Sequence, residues 1–429
     1  MRRLGRNLRV RQLTQAIKNW LSYPDVFAPL THSLLLTNGQ GVATFARATT
    51  ATCWCYLENA IGGSSQVLQV IPAGTPRFEG ARFIASSNTW SNLLSDGAAI
   101  PEATLKGVSI EVSSTNRVPY SDDFTNATWT KILATITANQ IVAPDGTLTA
   151  DLVTCTAAGG SYVYANTGNT VGSNTFSIYA KAGNQTKFGL YIGTGGSATY
   201  TLSGGGSVDT GTGSIKSVGN GWYSCTVSYT ATAGNSGVYR ADMATGDTFY
   251  IWGAQLEALP MATSYIPTTT AALTRNADVL TFPNAGNVSD SQGTVLITAT
   301  PAFDIPAGAT PGYGYQILLD FGISNGHTAV FNNYLGHWDG SQWVFSPRWL
   351  PLKNITYKIA ASWGTVGQRN WLNGQPGTNA AFDGSINSLM NMTIGGWGGG
   401  TNYNWGGTIK NLKIWKRALS DSDITRGTS

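Results

Sequence analysis

The chain has 429 residues, of which 11% are charged, 52 are glycine, 14 are tryptophan and 18 are tyrosine. This length suits two or three domains, and the apolar and aromatic content excludes a disordered chain. The first 18 residues hold six basic residues and no acidic one, and the other 20 basic and 22 acidic residues leave the body near neutral, which argues against a body that binds nucleic acid.

Residues 1 to 30 have the pattern of a separate amino-terminal module. Apolar side chains recur there at the spacing of one helix face, at Leu13, Ile17, Trp20 and Leu21, and Pro24 is expected to end the helix. Basic residues lie before and around the helix start, at Arg2, Arg3, Arg6, Arg9 and Arg11. We interpret this module as an anchor that docks on a larger assembly; a membrane-surface helix and a solvated tail are the alternatives. We expect neither a signal peptide nor a membrane span.

Residues 31 to 118 predict irregular β-structure. The strand-like runs are LTHSLLL, GVATFARATTATCWCYL and QVLQVI, and glycine-containing turns separate them. The chain's four cysteines lie here and in the next region, at Cys53, Cys55, Cys155 and Cys225. Their spacing matches no metal-binding motif, so we expect small buried thiols; the alternative is a bridge between Cys155 and Cys225.

Residues 119 to 266 predict an antiparallel β-sandwich. Short runs such as SYVYA, TFSIYAKAG, KFGLYIG and GWYSCTVSYTA alternate with turn signals, including Asp145-Gly146 and Gly183-Asn184. We expect Trp222, Tyr223 and Trp252 to be core residues because they lie in regular strands.

The segment FYIWGAQLEALPMATSYIPTTTAALTRNAD, residues 249 to 278, predicts the last strand of this sandwich and a linker over residues 267 to 278. Period-two alternation places Phe249, Ile251 and Gly253 on one side of the strand, with Tyr250, Trp252 and Ala254 on the other. Pro260 is expected to end the strand because proline cannot donate to a sheet.

Residues 279 to 429 predict a second antiparallel domain. Its strand-like runs include GTVLITATPAF, QILLDFG, ITYKIAASW and GTIKNLKIW, and Asn373-Gly374 predicts a two-residue hairpin turn. Ser420 is a candidate N-cap of a closing helix, with acidic residues after it. The predicted fold class is therefore mainly β, with tandem antiparallel sandwich or jelly-roll domains after a short amino-terminal helix.

A series of recognisable segments occurs in order over about residues 40 to 280: FARATTAT, TPRFEGARF, KGVSIEVSSTN and NRVPYSDDF, then APDGTLTADLV, FSIYAKAG, GWYSCTVSYTA, IWGAQLE, ATSYIPTT and LTRNAD. In this order they resemble segments of tailed-bacteriophage head-fibre and tail-fibre proteins. The middle sandwich looks like a carbohydrate-binding module, and the sequence from KIAASW through RNWLNGQ to RALSDSD resembles concanavalin-like, laminin-G-type jelly rolls. The resemblance implies a virion protein outside the particle, assembled in the host cytoplasm, with other virion proteins and host polysaccharide as partners.

Two aromatic clusters in the last domain are candidate carbohydrate contacts, because sugar binding uses flat aromatic faces with nearby polar groups. The first lies in GGWGGGTNYNWGG and consists of Trp397, Tyr403, Asn404 and Trp405; the second consists of His337, Trp338, Asp339 and Trp343. Packing in the core, contacts between subunits and contacts with another virion protein are the alternatives.

We expect no cofactor and no enzymatic activity. Calcium is a minor alternative, with Asp320, Asp339 and Asp383 as candidates by location alone. No nucleophile elbow or phosphate loop is present, and no spacing pairs carboxylates for a glycosidase.

The sequence therefore predicts a phage fibre and adhesin, attached by its amino terminus, that binds host glycans weakly and through many copies. We expect a homo-oligomer, with a trimer preferred. The alternatives are a capsid decoration protein that binds no glycan and a tailspike-like polysaccharide depolymerase.

Overall fold

A computed structural model describes residues 23–57, 66–165, 172–231, 234–304, 315–322, 326–331, 333–384, 386, 389–398 and 403–429. The nine anchor residues predicted between Arg2 and Leu21 lie outside this range, so the docking helix stays a prediction.

The described residues of the amino-terminal part form nine short strands. They are Val26–Ala28 (β1), Thr44–Ala46 (β2), Ala51–Tyr56 (β3), Gln66–Ile71 (β4), Phe78–Glu79 (β5), Arg82–Ile84 (β6), Thr89–Ser91 (β7), Gly107–Ile110 (β8) and Ser114–Asn116 (β9).

Twelve strands occur in the middle part, within the residues that the structure describes. They are Trp129–Ile132 (β10), Ala134–Ile141 (β11), Ala150–Cys155 (β12), Gly159–Ala165 (β13), Gly172–Ala182 (β14), Lys187–Ile192 (β15), Gly196–Thr201 (β16), Ser207–Gly211 (β17), Gly213–Gly219 (β18), Trp222–Ala231 (β19), Ser236–Met243 (β20) and Thr248–Glu257 (β21).

The carboxy-terminal part adds strands and a closing helix. They are Leu273–Arg275 (β22), Val279–Pro283 (β23), Gly293–Pro301 (β24), Tyr315–Asp320 (β25), His327–Phe331 (β26), Tyr334–Trp338 (β27), Trp343–Arg348 (β28), Tyr357–Trp363 (β29), Arg369–Leu372 (β30), Gln375–Pro376 (β31), Asn391–Ile394 (β32), Gly407–Trp415 (β33) and the helix Asp421–Thr428 (α1).

The middle part is a sandwich of two six-stranded antiparallel sheets. One sheet has the order β10-β13-β20-β15-β16-β17, and the other has the order β11-β12-β21-β14-β19-β18. Inward side chains of both sheets, such as Val163, Leu190, Phe176 and Val227, form one core. The prediction of an antiparallel sandwich is confirmed.

The carboxy-terminal part is a jelly roll of two larger sheets. The eight-stranded sheet has the order β31-β30-β29-β24-β33-β8-β5, with β1 also paired to β33, and the seven-stranded sheet has the order β2-β23-β32-β25-β26-β27-β28. Between them lies a core that includes Ile297, Leu318, Ile359 and Ile414. The mainly β, tandem-sandwich fold class predicted from the sequence is therefore confirmed.

Strands from the amino-terminal part complete this jelly roll. Strand β8 pairs with β33, β5 pairs with β8, and β2 pairs with β23. The sequence predicts a separate region for residues 31 to 118, whereas several of its strands belong to the jelly-roll sheets. It also predicts a linker over residues 267 to 278, but β22 within this segment pairs with β9. The difference arises because such pairings join strands far apart in the chain, which local patterns do not reveal.

Strand β21 departs from simple alternation at Gly253. Phe249 and Ile251 lie on the same side of the strand, as predicted, and enter the sandwich core, but the next inward residues are Ala254 and Leu256. Gly253 has a φ of 67°, and the register with β14 shifts between Ser177 and Tyr179. A β-bulge therefore moves Ala254 to the face opposite the predicted one. The strand ends at Glu257, before Pro260 as predicted.

Five buried charged residues form an ionic cluster between the two folded parts, made of Arg47, Arg77, Glu111, Arg275 and Asp278. One carboxylate oxygen of Asp278 lies 2.9 Å from the Arg47 guanidinium, and the other pairs with the Arg77 guanidinium. Glu111 lies 2.8 Å from Arg77 and 3.4 Å from Arg275. The arginines hold the pKa of Glu111 down to about 2 against the effect of its burial. The cluster joins four segments that are distant in sequence.

Several local predictions are confirmed. Trp222, Tyr223 and Trp252 are buried, and all four cysteines are buried and free. Asn373 and Gly374 turn with φ values of 46° and 81° between β30 and β31. Ser420 caps α1, accepting a hydrogen bond from the backbone N–H of Asp423. In the described part of the chain, no helix has the length and apolarity needed to cross a membrane.

Candidate functional site

The structure separates the members of the first predicted aromatic cluster. Trp405 is 0% exposed and stacks with Trp349, with ring centroids 6.4 Å apart. Asn404 is also 0% exposed and donates to the backbone oxygen of Asp278 at 2.9 Å. A sugar has no access to either side chain, so the sequence prediction is corrected for these two. Trp397 and Tyr403 remain half-buried, with ring centroids 5.5 Å apart.

The second predicted cluster also divides by burial. His337 is buried, stacks with Trp363 and contacts the Thr328 hydroxyl at 3.1 Å. Asp339 is buried, accepting from the backbone N–H groups of Ser341 and Gln342 at 2.7 Å. Both side chains are buried within the jelly roll and are not exposed to solvent. The prediction that His337 and Asp339 contact a carbohydrate ligand is therefore wrong.

The other two members of that cluster lie on the outer face of the seven-stranded sheet. Trp343 lies nearly parallel to Phe345, with centroids 5.4 Å apart and planes 9° apart. Trp338 lies 5.7 Å from Trp343. The rings of Trp343 and Phe345 lie over Gly336, where an added Cβ would be 2.8 Å from Trp343 and 3.2 Å from Phe345. We call Trp338, Trp343 and Phe345 the tryptophan strip.

A larger aromatic surface lies on the outer face of the middle sandwich. Strand β13 alternates inward Val163 with outward Tyr162 and Tyr164, and Tyr191 of β15 and Tyr239 of β20 point to the same face. All four tyrosines are half-buried. We call this surface the tyrosine groove.

Cross-strand pairing with glycine brings the four rings together. Tyr239 lies between Tyr162 and Gly189, and Gly237 lies between Tyr164 and Tyr191. A Cβ at Gly189 would lie 2.6 Å from the Tyr239 ring, so the ring occupies the space that the glycine leaves. Each row of three residues thus holds two tyrosines and one glycine.

The rings form a continuous surface. Tyr162 and Tyr239 are stacked with centroids 6.1 Å apart and planes 17° apart, and Tyr191 meets both edge-on at 6.0 and 5.9 Å. Burial, with Tyr164 and Tyr162 nearby, raises the pKa of Tyr191. Tyr191 therefore stays a neutral phenol that can donate a hydrogen bond.

The loop from β15 to β16 borders an open recess beside these rings. The recess has a volume of about 310 Å³ and is lined by Tyr162, Tyr191, Tyr239 and residues 193–197. Gly195 and Gly196 allow this loop to pack closely against Tyr229 of β19 in the opposite sheet, because a Cβ on either glycine would lie 2.5 Å from Tyr229. Ring faces, phenol hydroxyls and an accessible backbone thus meet at one place.

The tyrosine groove is not among the sites predicted from the sequence, although the sequence carries a signal for it. The segments SYVYA, GLYIG and GVYR each alternate tyrosine with an apolar or small residue. Period two directs those tyrosines to one face of each strand. The missing information was that β13, β20 and β15 are neighbours, which they are despite their distance in sequence.

The carboxylates considered for calcium have other partners. Asp320 accepts from the backbone N–H groups of Gly398 and Gly322, and burial raises its pKa to about 6. The Gln342 side-chain amide donates to Asp383 at 3.0 Å. No group of three or more acidic, histidine or cysteine side chains suited to a metal ion occurs among the residues that the structure describes.

No protein-family model matches this chain, and no curated protein matches it. Solved structures do match. The Ruminococcus gnavus IT-sialidase CBM40 has 17% identity over 33% of this chain and 84% of its own, with a TM-score of 0.26. Domain 4 of AbnA, an extracellular arabinanase of Geobacillus stearothermophilus, has 16% identity. The match covers 39% of this chain and 82% of the AbnA domain, with a TM-score of 0.28. Mouse laminin alpha1 domains LG4-5 have 10% identity. The match covers 62% of this chain and 90% of the laminin chain, with a TM-score of 0.22. Likenesses this weak carry no argument about function.

Proposed function

We propose that this chain binds carbohydrate and that the tyrosine groove is the principal site. The observation that carries the proposal is the set of four tyrosines, Tyr162, Tyr164, Tyr191 and Tyr239, gathered on one outer sheet face. Their ring centroids lie 5.9 to 6.5 Å from one another along the contacts of the set. Aromatic side chains with a polar tip suit a ligand that is apolar on one face and hydroxylated at its edges.

The form of the recess supports a chain-like ligand. Ligand sites commonly combine apolar rings with a few polar groups that fix orientation. Here the recess is open along the sheet instead of enclosed, so a sugar within a longer polysaccharide can lie on the rings while its neighbours continue outward. Single contacts of this kind are weak, and presentation of many copies makes them effective.

The tryptophan strip and the pair Trp397 and Tyr403 are proposed as secondary contacts on the jelly roll. Two of the strip's three residues, Trp338 and Trp343, were selected from sequence. The nearly parallel rings of Trp343 and Phe345 offer a flat surface.

In finer terms, we propose a tailed-phage virion fibre and adhesin. The support is the ordered set of sequence segments from FARATTAT to LTRNAD, together with the basic amino-terminal residues. On this proposal the protein lies outside the particle, contacts capsid or tail proteins through its amino terminus, and forms a homo-oligomer. A decoration protein without glycan binding and a depolymerase are the competing functions.

Electrophoresis of the full chain through gels containing different bacterial surface polysaccharides tests the proposal. We expect retardation by at least one polysaccharide, reduced in Tyr191→Ala and unchanged in Tyr23→Ala, whose side chain is 67% exposed elsewhere. Reducing ends are measured in parallel. New ends would replace the adhesin with a depolymerase, and the absence of retardation by any polysaccharide would favour the decoration protein.

A further inference from the structure

A second cavity lies where the sandwich meets the jelly roll, on the outer face of the eight-stranded sheet. Its volume is about 300 Å³, at the lower end of the range for small-molecule sites. Strands β5, β8, β24 and β33 supply its floor, and Lys216 of sandwich strand β18 supplies part of its wall. Lys353 of the jelly roll contacts Ser214 of β18 at 3.1 Å and closes the junction nearby. We call this cavity the junction pocket.

Hydroxyl groups form a row along the floor of the junction pocket. Thr300 pairs directly with Thr408, and Thr408 pairs directly with Ser109, so these three side chains share one sheet face. Thr356 extends the row, with its hydroxyl 2.9 Å from that of Thr300. In the described chain, the hydroxyls of Ser109 and Thr408 make no hydrogen bond within the protein. They are available to donate to and accept from a ligand.

Charged side chains surround this floor. Glu79, Lys106 and Lys216 line the pocket, and Glu111 of the ionic cluster forms part of its inner wall. The carboxylate of Glu111 is already engaged by Ser264, Arg77 and Arg275. The carboxylate of Glu79 receives no hydrogen bond from any residue that the structure describes.

Two lysines, Lys106 and Lys216, and two carboxylates, Glu79 and Glu111, line the pocket. Because Arg77 and Arg275 already pair with Glu111, only Glu79 opposes the charge of the two lysines. The local field therefore favours an anion. Burial also raises the pKa of Glu79, with Lys216, Arg77 and Lys106 opposing the shift and Glu111 reinforcing it.

We propose that the junction pocket binds a sugar acid, a monosaccharide unit that carries a carboxylate. The ligand carboxylate pairs with Lys216 and Lys106, and its hydroxyls bond to the row formed by Ser109, Thr408 and Thr300. A bare phosphate fits the pocket less well, because the arginines that would bind it with two parallel bonds already hold Glu111 and Asp278. This site is separate from the tyrosine groove and does not depend on it.

Calorimetric titration of the full chain with glucuronate, glucose and inorganic phosphate tests the proposal. We expect glucuronate to bind at least tenfold more tightly than glucose or phosphate. Lys216→Met should weaken glucuronate binding about tenfold or more, and Glu79→Gln should strengthen it. Lys187→Met is the matched control, since Lys187 is an exposed lysine of the same sandwich and lies 3.8 Å from Asp209; it should change binding less than twofold.

Thr408→Val tests the hydroxyl floor without removing charge and should also weaken binding. Thermal melting of every variant confirms the fold. The proposal is overturned if glucuronate does not bind, if phosphate binds as well as glucuronate, or if Lys216→Met and Lys187→Met behave alike. Lys216→Met should leave polysaccharide retardation in the gel unchanged, which separates this result from failure of the tyrosine groove.

Discussion

Arg47 and Asp278 are 231 positions apart in the chain, yet the Arg47 guanidinium lies 2.9 Å from the Asp278 carboxylate and both side chains are 0% exposed. Asp278 also accepts from Arg77 and from the backbone N–H of Glu111. The Asp278 carboxylate therefore balances the charge of Arg47 and Arg77 and holds the backbone at Glu111, where the sandwich meets the jelly roll.

Asp278→Asn is expected to destabilise the protein by about 3–5 kcal/mol, because it leaves the buried Arg47 without its carboxylate partner and leaves Glu111 alone to balance Arg77 and Arg275. Denaturant unfolding followed by circular dichroism measures the change. Asp209→Asn is the matched control: its partner Lys187 is half exposed at 52%, so a change below about 1 kcal/mol is expected. Equal effects of the two variants would show that the ionic cluster adds no special stability.

Trp405→Ala is expected to destabilise the jelly roll by about 3–5 kcal/mol, since it removes a fully buried indole and leaves a cavity. Tyr334→Ala, at a side chain that is 39% exposed in the same domain, should cost much less. Any loss of glycan binding in Trp405→Ala should then follow the fraction of unfolded protein. Selective loss of binding in a fully folded variant would restore Trp405 as a contact residue.

The buried histidines should make the jelly roll sensitive to acid. Burial lowers the pKa of His337 to about 4, with Asp339 opposing the shift, and lowers that of His327 to about 3, with His337 reinforcing it. The unfolded chain binds these protons near the ordinary value of 6.5, so unfolding gains protons below it. Stability should be fully present above pH 6.5 and should fall as the pH drops towards about 4.

The free energy of unfolding measured from pH 7.5 to 4.5 tests this dependence. His337→Gln should flatten the curve below pH 6.5, and His337→Gln with His327→Gln should flatten it further. An unchanged slope in the double variant would assign the acid sensitivity to other groups.

Gly189→Ala should disturb the tyrosine groove while keeping the sandwich folded. The new methyl group would lie 2.6 Å from the Tyr239 ring and would push the ring out of its row. We expect polysaccharide retardation to fall severalfold. Gly205→Ala is the control, because a Cβ there meets nothing within 4 Å. Equal retardation of the two variants would show that the ring positions do not matter for binding.

The sequence predicted those features that depend on local patterns. The strand-rich tandem sandwiches, the Asn373-Gly374 hairpin and the Ser420 cap follow from period two, turn chemistry and capping, which are short-range effects. The bulge at Gly253 could not be predicted from the sequence, because the positive φ of this glycine depends on the register between two neighbouring strands.

The candidate sites show the same limit more sharply. A glycine-rich setting suggested exposure of Trp405, but Trp349 comes from a distant loop and covers it. The tyrosine groove combines β13, β15 and β20, whose adjacency is decided by long-range pairing. Local alternation predicts on which face of its strand each tyrosine lies. It does not predict which strands lie next to one another in the sheet.

The most direct test of carbohydrate binding in the tyrosine groove is a calorimetric titration of the full chain. The ligand is a soluble oligosaccharide prepared from the polysaccharide that retards the protein most. We predict that Tyr191→Ala combined with Tyr239→Ala weakens binding more than tenfold, with unchanged unfolding temperature, while Tyr23→Ala binds as the parent does. Unchanged affinity in the double variant, or a loss seen only in Trp343→Ala, would contradict the groove as the principal site.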